Sequence, residues 1–250
     1  PDERTKHLGQ ISGRVEILQP TLERMREAMD AVIAQTEIRH IYLVGGSLTD
    51  ARKEGERFLQ LARFVKAHNR HGIPVALGSG AIADDQVAQF KAEQLVDHVC
   101  FNLEMWSEPL FNQVCPGKAR YVGYARWIDA LETAVRHFGR GQVYSAMVAG
   151  VELEPEHGLE WEQAARTALE GAEDLCRRGI IPVYSLVWPS GGRQRPDYHA
   201  RIRNYFETLI TGYAEIRRRH GLDVSDGFMC HRCAYMQLEC DLDRAAKAAA

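Results

Sequence analysis

The chain is poor in the features that mark specialised protein classes. Nine prolines and 21 glycines in 250 residues are too few for a collagen-like or low-complexity chain, and 45% hydrophobic with 26% charged residues excludes disorder. Neither charge sign dominates: 31 basic residues against 34 acidic ones leave a formal net charge of −3. That balance offers no electrostatic basis for tracking phosphates, so no nucleic-acid partner is expected. No apolar run approaches the roughly 18 residues that span a bilayer, and no signal-peptide pattern is present, so no membrane partner is expected either. Six cysteines are too sparse for a secreted disulfide framework, which makes the cytoplasm the expected compartment. The length suits one α/β domain of barrel size rather than two large domains. The first residue is Pro1 and the opening segment is polar and without period, so the chain reads as a piece of a longer protein.

What is present is an alternation of short apolar runs and amphipathic stretches. Pro20 to Gln35 places Leu22, Met25, Met29 and Val32 or Ile33 at helical spacing, with Pro20 suited to a first turn. Strands are expected at His40–Val44, Ile73–Leu77, His98–Leu103, within Gly141–Ala149, and at Ile180–Trp188. Helices are expected at Asp50–His68, Asp84–Leu95, Tyr124–Phe138, Leu159–Arg178 and Tyr198–Arg219, the last two stopped by Gly179 and Gly221. Continuous apolar strands between amphipathic helices imply a parallel sheet covered by helices. Polar or glycine-rich residues follow almost every strand, which favours a β/α barrel over an open doubly wound sheet. With five clear strands the expected architecture is α/β, a partial (β/α)6-type TIM barrel or one missing its first strand. Its expected divisions are a polar lead-in over 1–19, the barrel over 20–222, and a cysteine-containing extension over 223–250.

The strand ends carry the candidate chemistry. Gly45, Gly46 and Ser47 follow the first strand, where glycines let backbone approach a ligand; the plain alternative is a strand-to-helix turn with Thr49 as N-cap. Asn102 and Glu104 point the same way as Cys100 by strand alternation. A buried amide and carboxylate need partners, supplied by a ligand with hydroxyls or an ammonium, or by an ion pair with a neighbouring strand. Met147 belongs to the barrel floor or lies against a flat ring, and Glu152 is a site group or a solvated loop carboxylate. Arg126, early in its helix, offers a fork for a carboxylate. Tyr42, Tyr144, Tyr184, Trp106 and Trp188 line a pocket or pack the core, and Arg193, Arg195 and His199 are candidates for an anionic group. Cys230, Cys233 and Cys240 form a C-x2-C-x6-C pattern that suits one soft metal centre, an iron–sulfur cluster with an open iron or a zinc completed by His231; free thiols are the alternative.

Together these segments resemble the radical S-adenosylmethionine (SAM) superfamily, in the branch of biotin synthase, the tyrosine-cleaving thiamine enzyme and the hydrogenase-maturation enzymes, over about Leu18 to Pro189. IYLVGGSLTD resembles the strand and GGE motif that holds the methionine amino group, with Ser47 in place of the acid. VCFNLEMWSEPLFNQV resembles the strand whose Asn and acidic residue meet the ribose, here Asn102 and Glu104. YARWIDALETA resembles the helix whose arginine binds the methionine carboxylate, which puts Arg126 in that role. SAMVAGVE has the spacing of the GxIxGxxE motif beside adenine, with Met147 and Glu152 at its key positions and Ser145 and Ala149 replacing glycines. IPVYSLVWPSGG resembles the sixth strand, which cradles adenine through backbone groups such as those of Leu186. The resemblance implies a partial barrel, SAM and a [4Fe-4S] cluster as cofactors, a flavodoxin or ferredoxin as electron donor, and hydrogen abstraction from a small organic substrate by a 5′-deoxyadenosyl radical. The family's CxxxCxxC is absent and is expected upstream of Pro1. Cys230, Cys233 and Cys240 then hold an auxiliary cluster or the only one. Two other readings stand beside this one: a barrel lyase or aldolase with a structural zinc at the C-terminal cysteines, against which counts the lack of a lysine at any strand end, and a non-catalytic paralogue that keeps the barrel as a binding module.

Overall fold

The computed structural model describes residues 21–35, 37–45, 48–187 and 196–223. The chain divides into two compact units after Ile38. Among the described residues the first contributes one helix, α1 (Leu22–Gln35). Of its apolar positions Met25, Met29 and Ile33 are half-buried, while Leu22 and Val32 are exposed.

The second unit runs β1 (Ile41–Val44), α2 (Ala51–His68), β2 (Val75–Ser79), α3 (Asp84–Ala92), β3 (His98–Phe101), α4 (Glu108–Val114), α5 (Pro116–Tyr121), α6 (Tyr124–Phe138), β4 (Val143–Ala149), a 3-10 turn (Val151–Leu153), α7 (Trp161–Arg178), β5 (Ile180–Leu186) and α8 (Tyr198–His220). The five strands form one sheet in the order β1-β2-β3-β4-β5. Every adjacent pair is parallel. Sequential parallel order is the winding of a β/α barrel and lacks the order reversal of a doubly wound sheet. Among the described residues the sheet does not close, so β1 and β5 are its edges. The partial-barrel expectation therefore holds.

Register decides what each side chain faces. Tyr184 pairs with Met147 on β4. Its hydroxyl donates to the Ala168 carbonyl of α7 at 3.0 Å, and its ring meets Tyr213 of α8 edge-on. Tyr184, and with it Met147, Ser145, Phe101 and Leu77, therefore lies on the helix-covered face. The opposite, open face carries Tyr42, Val44, Gly78, Cys100, Ala146, Val148 and Ser185. The covering helices bury the expected apolar stripes. On α6, Trp127, Leu131, Ala134 and Phe138 are buried; the stripe is rotated so that Ile128 and Val135, also expected inside, are only half covered. Each fully buried side chain of the Trp127 or Leu131 size stabilises the fold by about 1.5–3 kcal/mol.

Three local readings need correction. The N-cap of α2 is Asp50, not Thr49: its carboxylate accepts from the Arg52 and Lys53 N–H groups, each at 3.1 Å. β2 begins and ends two residues later than its apolar run. Gly78 looks like a terminator but continues the ladder, because the Tyr42 ring occupies the space its side chain would fill; a Cβ there would stand 2.5 Å from the Tyr42 hydroxyl. The segment between β3 and α6, expected as a loop, holds α4 and α5, each opened by a proline in its first turn.

Candidate functional site

The C-terminal ends of the parallel strands β1 to β5 share one edge of the sheet, and the loops there carry several of the polar candidates. After β1, Gly45 is exposed, while Gly46 and Ser47 lie outside the described residues. The loop is anchored by a residue not singled out in the sequence, Glu54 on α2. Its buried carboxylate accepts from the Leu48 N–H at 2.6 Å and from the Gly80 N–H at 2.5 Å. One side chain thus ties the loop after β1 to the loop after β2. A lone first-turn glutamate is usually solvated, so sequence offers no signal for this role.

The end of β3 carries the most organised chemistry. Asn102 Oδ1 accepts from the Cys100 thiol at 3.0 Å and from the Ala146 N–H at 3.3 Å. Glu104 continues backbone pairing with β4: its N–H donates to the Ala146 carbonyl at 2.9 Å and its carbonyl accepts from the Val148 N–H at 2.8 Å. It does so with φ +71, the left-handed region that glutamate rarely adopts. Its partner is Lys118 of α5. The ammonium donates to Glu104 Oε1 and to the Asn102 carbonyl, both at 2.6 Å, and stands 4.7 Å from the centre of the Trp127 ring. The expected ion pair is present, but a helix and not a neighbouring strand supplies the cation. The statement that no lysine stands at a strand end is likewise corrected: Lys118 is fourteen residues from Glu104 in sequence and reaches it only because α4 and α5 fold back. Lys118 and Trp127 also line a cavity of about 260 Å³ with Leu48, Thr49, Glu54 and Gly80.

Cys100 sits beside this group on the open face. Burial pushes its thiol up to about 12, with the Tyr42 hydroxyl hydrogen-bonded to it as a smaller opposing influence. It is a buried neutral thiol, unsuited to act as a nucleophile or metal thiolate in this arrangement.

After β4 the structure revises two expectations. Met147 faces the helix layer rather than the barrel floor: it is 3% exposed and takes a long contact from the Ser145 hydroxyl at 3.9 Å. Ser145 itself accepts from the Leu103 N–H at 3.0 Å. Glu152 is buried, not a solvated loop carboxylate. Its carboxylate accepts from the Gly150 N–H at 3.1 Å, and burial pushes it up to about 7. Tyr205 of α8 is buried next to it, and desolvation together with the Glu152 charge raises its hydroxyl well above the usual value. At the end of β5, Leu186 is exposed, in contrast to Tyr144 and Tyr184, which are core residues.

Arg126 does not reach the Asn102–Glu104 edge. It donates to Asp84 Oδ1 at 2.8 Å and to the Ile82 carbonyl at 3.1 Å, bracing the start of α3. His199 is exposed. Trp188, Arg193, Arg195, His231, Cys230, Cys233 and Cys240 lie outside the described residues. Among the described residues no three acidic, histidine or cysteine side chains come together to hold a metal ion, and Cys100, Cys115 and Cys176 form no disulfide with one another. No helix among them is long and apolar enough to cross a membrane.

No family model matches the chain. Over 92 residues, 37% of its length, the chain is 28% identical to bacteriochlorophyllide c C-7(1)-hydroxylase of Chlorobaculum limnaeum. That stretch spans 20% of the hydroxylase. In backbone course the chain is similar to a radical SAM methyltransferase from Sphaerobacter thermophilus, with a TM-score of 0.49 and 17% identity over 82% of this chain and 57% of that one. The protein is an α/β chain whose described residues form five in-order parallel strands, and it is similar over part of its sequence to that hydroxylase.

Proposed function

We propose that the chain forms the nucleoside-binding sheet of a radical SAM enzyme. The observation that carries this reading is the edge at β3. Asn102 Oδ1 and Glu104 Oε1 are engaged by protein donors, and among the described residues no partner is recorded for Asn102 Nδ2 or Glu104 Oε2. A donor and an acceptor two residues apart, at the C-terminal edge of a parallel sheet, suit the vicinal diol of a ribose. The residues thus fit the nucleoside part of SAM. The segments that resemble the family's motifs also fall on β1, β3, α6, β4 and β5 in the family's order. When bound, SAM and a reduced [4Fe-4S] cluster would supply radical chemistry for hydrogen abstraction from the substrate.

The chain's own part is binding, orientation and exclusion of water. Asn102 and Glu104 take the ribose, and Glu54 holds the loops after β1 and β2 in register around the ligand. Glu152 and Tyr205 close the β4 side with buried polar groups. Arg126 serves the methionine carboxylate only if that carboxylate displaces Asp84. Cys230, Cys233 and Cys240, on their spacing alone, hold an auxiliary cluster or the only one in this reading; among the described residues no cysteine is grouped with other metal-ligating side chains. The protein partner is a one-electron donor of the flavodoxin or ferredoxin kind, in the cytoplasm. The curated relative is named for hydroxylating bacteriochlorophyllide c, so the substrate proposed here is a small organic molecule oxidised at carbon.

Anaerobic reconstitution with iron and sulfide tests the reading. The expected result is a cluster with visible absorbance, lost in the Cys230→Ala, Cys233→Ala, Cys240→Ala triple variant, and reductant-dependent formation of 5′-deoxyadenosine from SAM. Zinc without iron in anaerobically purified protein would sink it and favour the barrel lyase with a structural zinc.

A further inference from the structure

Lys118 belongs to no motif, yet it touches both residues at the end of β3. Its ammonium bridges the Asn102 carbonyl and Glu104 Oε1, at 2.6 Å each. The two contacts have different consequences. The bond to the Asn102 carbonyl fixes main chain between Asn102 and Glu104, where Glu104 must hold a left-handed φ of +71. The bond to Oε1 restrains the carboxylate, while Oε2 takes no hydrogen bond among the described residues. Lys118 is itself restrained, since its ammonium lies over the face of the buried Trp127 ring and its side chain is only 21% exposed. Asn102 is restrained from the other side through Oδ1, by the Ala146 N–H of β4.

We infer that Lys118 is a positioning residue that aims Asn102 Nδ2 and Glu104 Oε2 at a vicinal diol of the bound nucleoside. It acts through the two residues and does not itself contact the diol. The inference rests on the proposed nucleoside site and adds to it a helix-borne lysine on which diol recognition depends. A lysine with only a structural role would leave diol discrimination intact and lower stability instead.

Equilibrium binding to the full chain separates these cases, with 5′-methylthioadenosine and 2′,3′-dideoxyadenosine as probes and no cluster or turnover involved. The wild-type protein is expected to prefer the diol-bearing probe by about tenfold or more, the ratio a hydrogen bond to a charged group supplies. Lys118→Met is expected to bring the two affinities within about twofold of each other, and Lys118→Arg to restore part of the difference, since a guanidinium also bridges a carbonyl and a carboxylate. Far-ultraviolet circular dichroism and the urea midpoint check folding. A Lys118→Met protein that folds and keeps the full preference overturns the inference and leaves the nucleoside site standing. Should Lys118→Met fail to fold, Lys118→Arg and Lys118→Gln carry the test: unchanged discrimination in both overturns the inference, and graded loss supports it. A wild-type protein that binds neither probe overturns both the inference and the site.

Discussion

Glu54 of α2 accepts a hydrogen bond from the Gly80 N–H at 2.5 Å, and the same carboxylate holds the Leu48 N–H at 2.6 Å. Two loops after different strands therefore depend on one buried side chain. Glu54→Ala leaves both backbone donors without their acceptor, at a cost of about 1–3 kcal/mol for each group that stays dry. Glu54→Gln keeps one acceptor and sets an amide donor against the other N–H, so a smaller loss is expected. Urea denaturation is expected to rank wild type above Glu54→Gln above Glu54→Ala; equal midpoints would show that water replaces the carboxylate.

Glu152 makes stability depend on pH. Burial raises its folded pKa to about 7 from an ordinary value of 4.5, so the folded state holds a proton over that interval that the unfolded state has released. Stability from this group is therefore full below the unfolded value and falls as pH rises toward and through about 7. The expected loss is of the order of a few kcal/mol. In Glu152→Gln this fall is expected to flatten, making the variant the more stable protein at pH 8. Parallel wild-type and variant profiles between pH 5 and pH 8 would refute the assignment.

The Tyr42 hydroxyl is hydrogen-bonded to the Cys100 thiol, and its ring sits over Gly78. A Cβ on residue 78 would stand 2.5 Å from the Tyr42 hydroxyl, and Tyr42, 38% exposed on the open face, has room to swing away. Gly78→Ala is therefore expected to displace the ring and uncover the thiol at a modest cost in stability. Alkylation of the folded protein mapped by mass spectrometry checks this. Cys100 is expected to be slow in the wild type and faster in Gly78→Ala and Tyr42→Ala, with half-buried Cys115 little changed. Equal Cys100 labelling in all three proteins would contradict the placement of Tyr42.

Gly150 turns the chain from β4 toward Glu152 at φ +95. A Cβ there would stand 2.6 Å from Ile202 Cδ1 of α8 and 3.3 Å from Val187 Cγ1. Gly150→Ala is expected to cost about 1–2 kcal/mol for the left-handed backbone and a further 1–3 kcal/mol for the collision, roughly additive. Adding Ile202→Val is expected to recover only the second part. Full recovery in the double variant would mean that the backbone carries no strain.

The partial barrel was legible in the chain because its cause is local. Apolar runs such as His40–Val44 and Ile180–Leu186, punctuated by glycines and separated by 3.6-period stripes, permit little besides parallel strands crossed by helices. Alternation relates Asn102 to Cys100 but not Glu104, because β3 ends at Phe101 and Glu104, at φ +71, bridges to Met147 out of the strand's register. The facing of Met147 was not legible, because alternation states which residues share a face and leaves open which face the helices cover. Gly78 lies beyond the strand expected at Ile73–Leu77 yet belongs to it, and the Tyr42 ring that fills its place comes from another strand. Glu54 and Lys118 had no signal at all: each lies on a helix and works on a strand end across a distance set only by how the helices return. Sequence by itself determined the order of elements and the residues at each strand end, since both follow from periodicity and turn chemistry. The tertiary structure decided which charges meet. The buried Glu54 carboxylate takes its donors from Leu48 and Gly80, and the half-buried Glu104 carboxylate takes its donor from Lys118, each brought there by the fold.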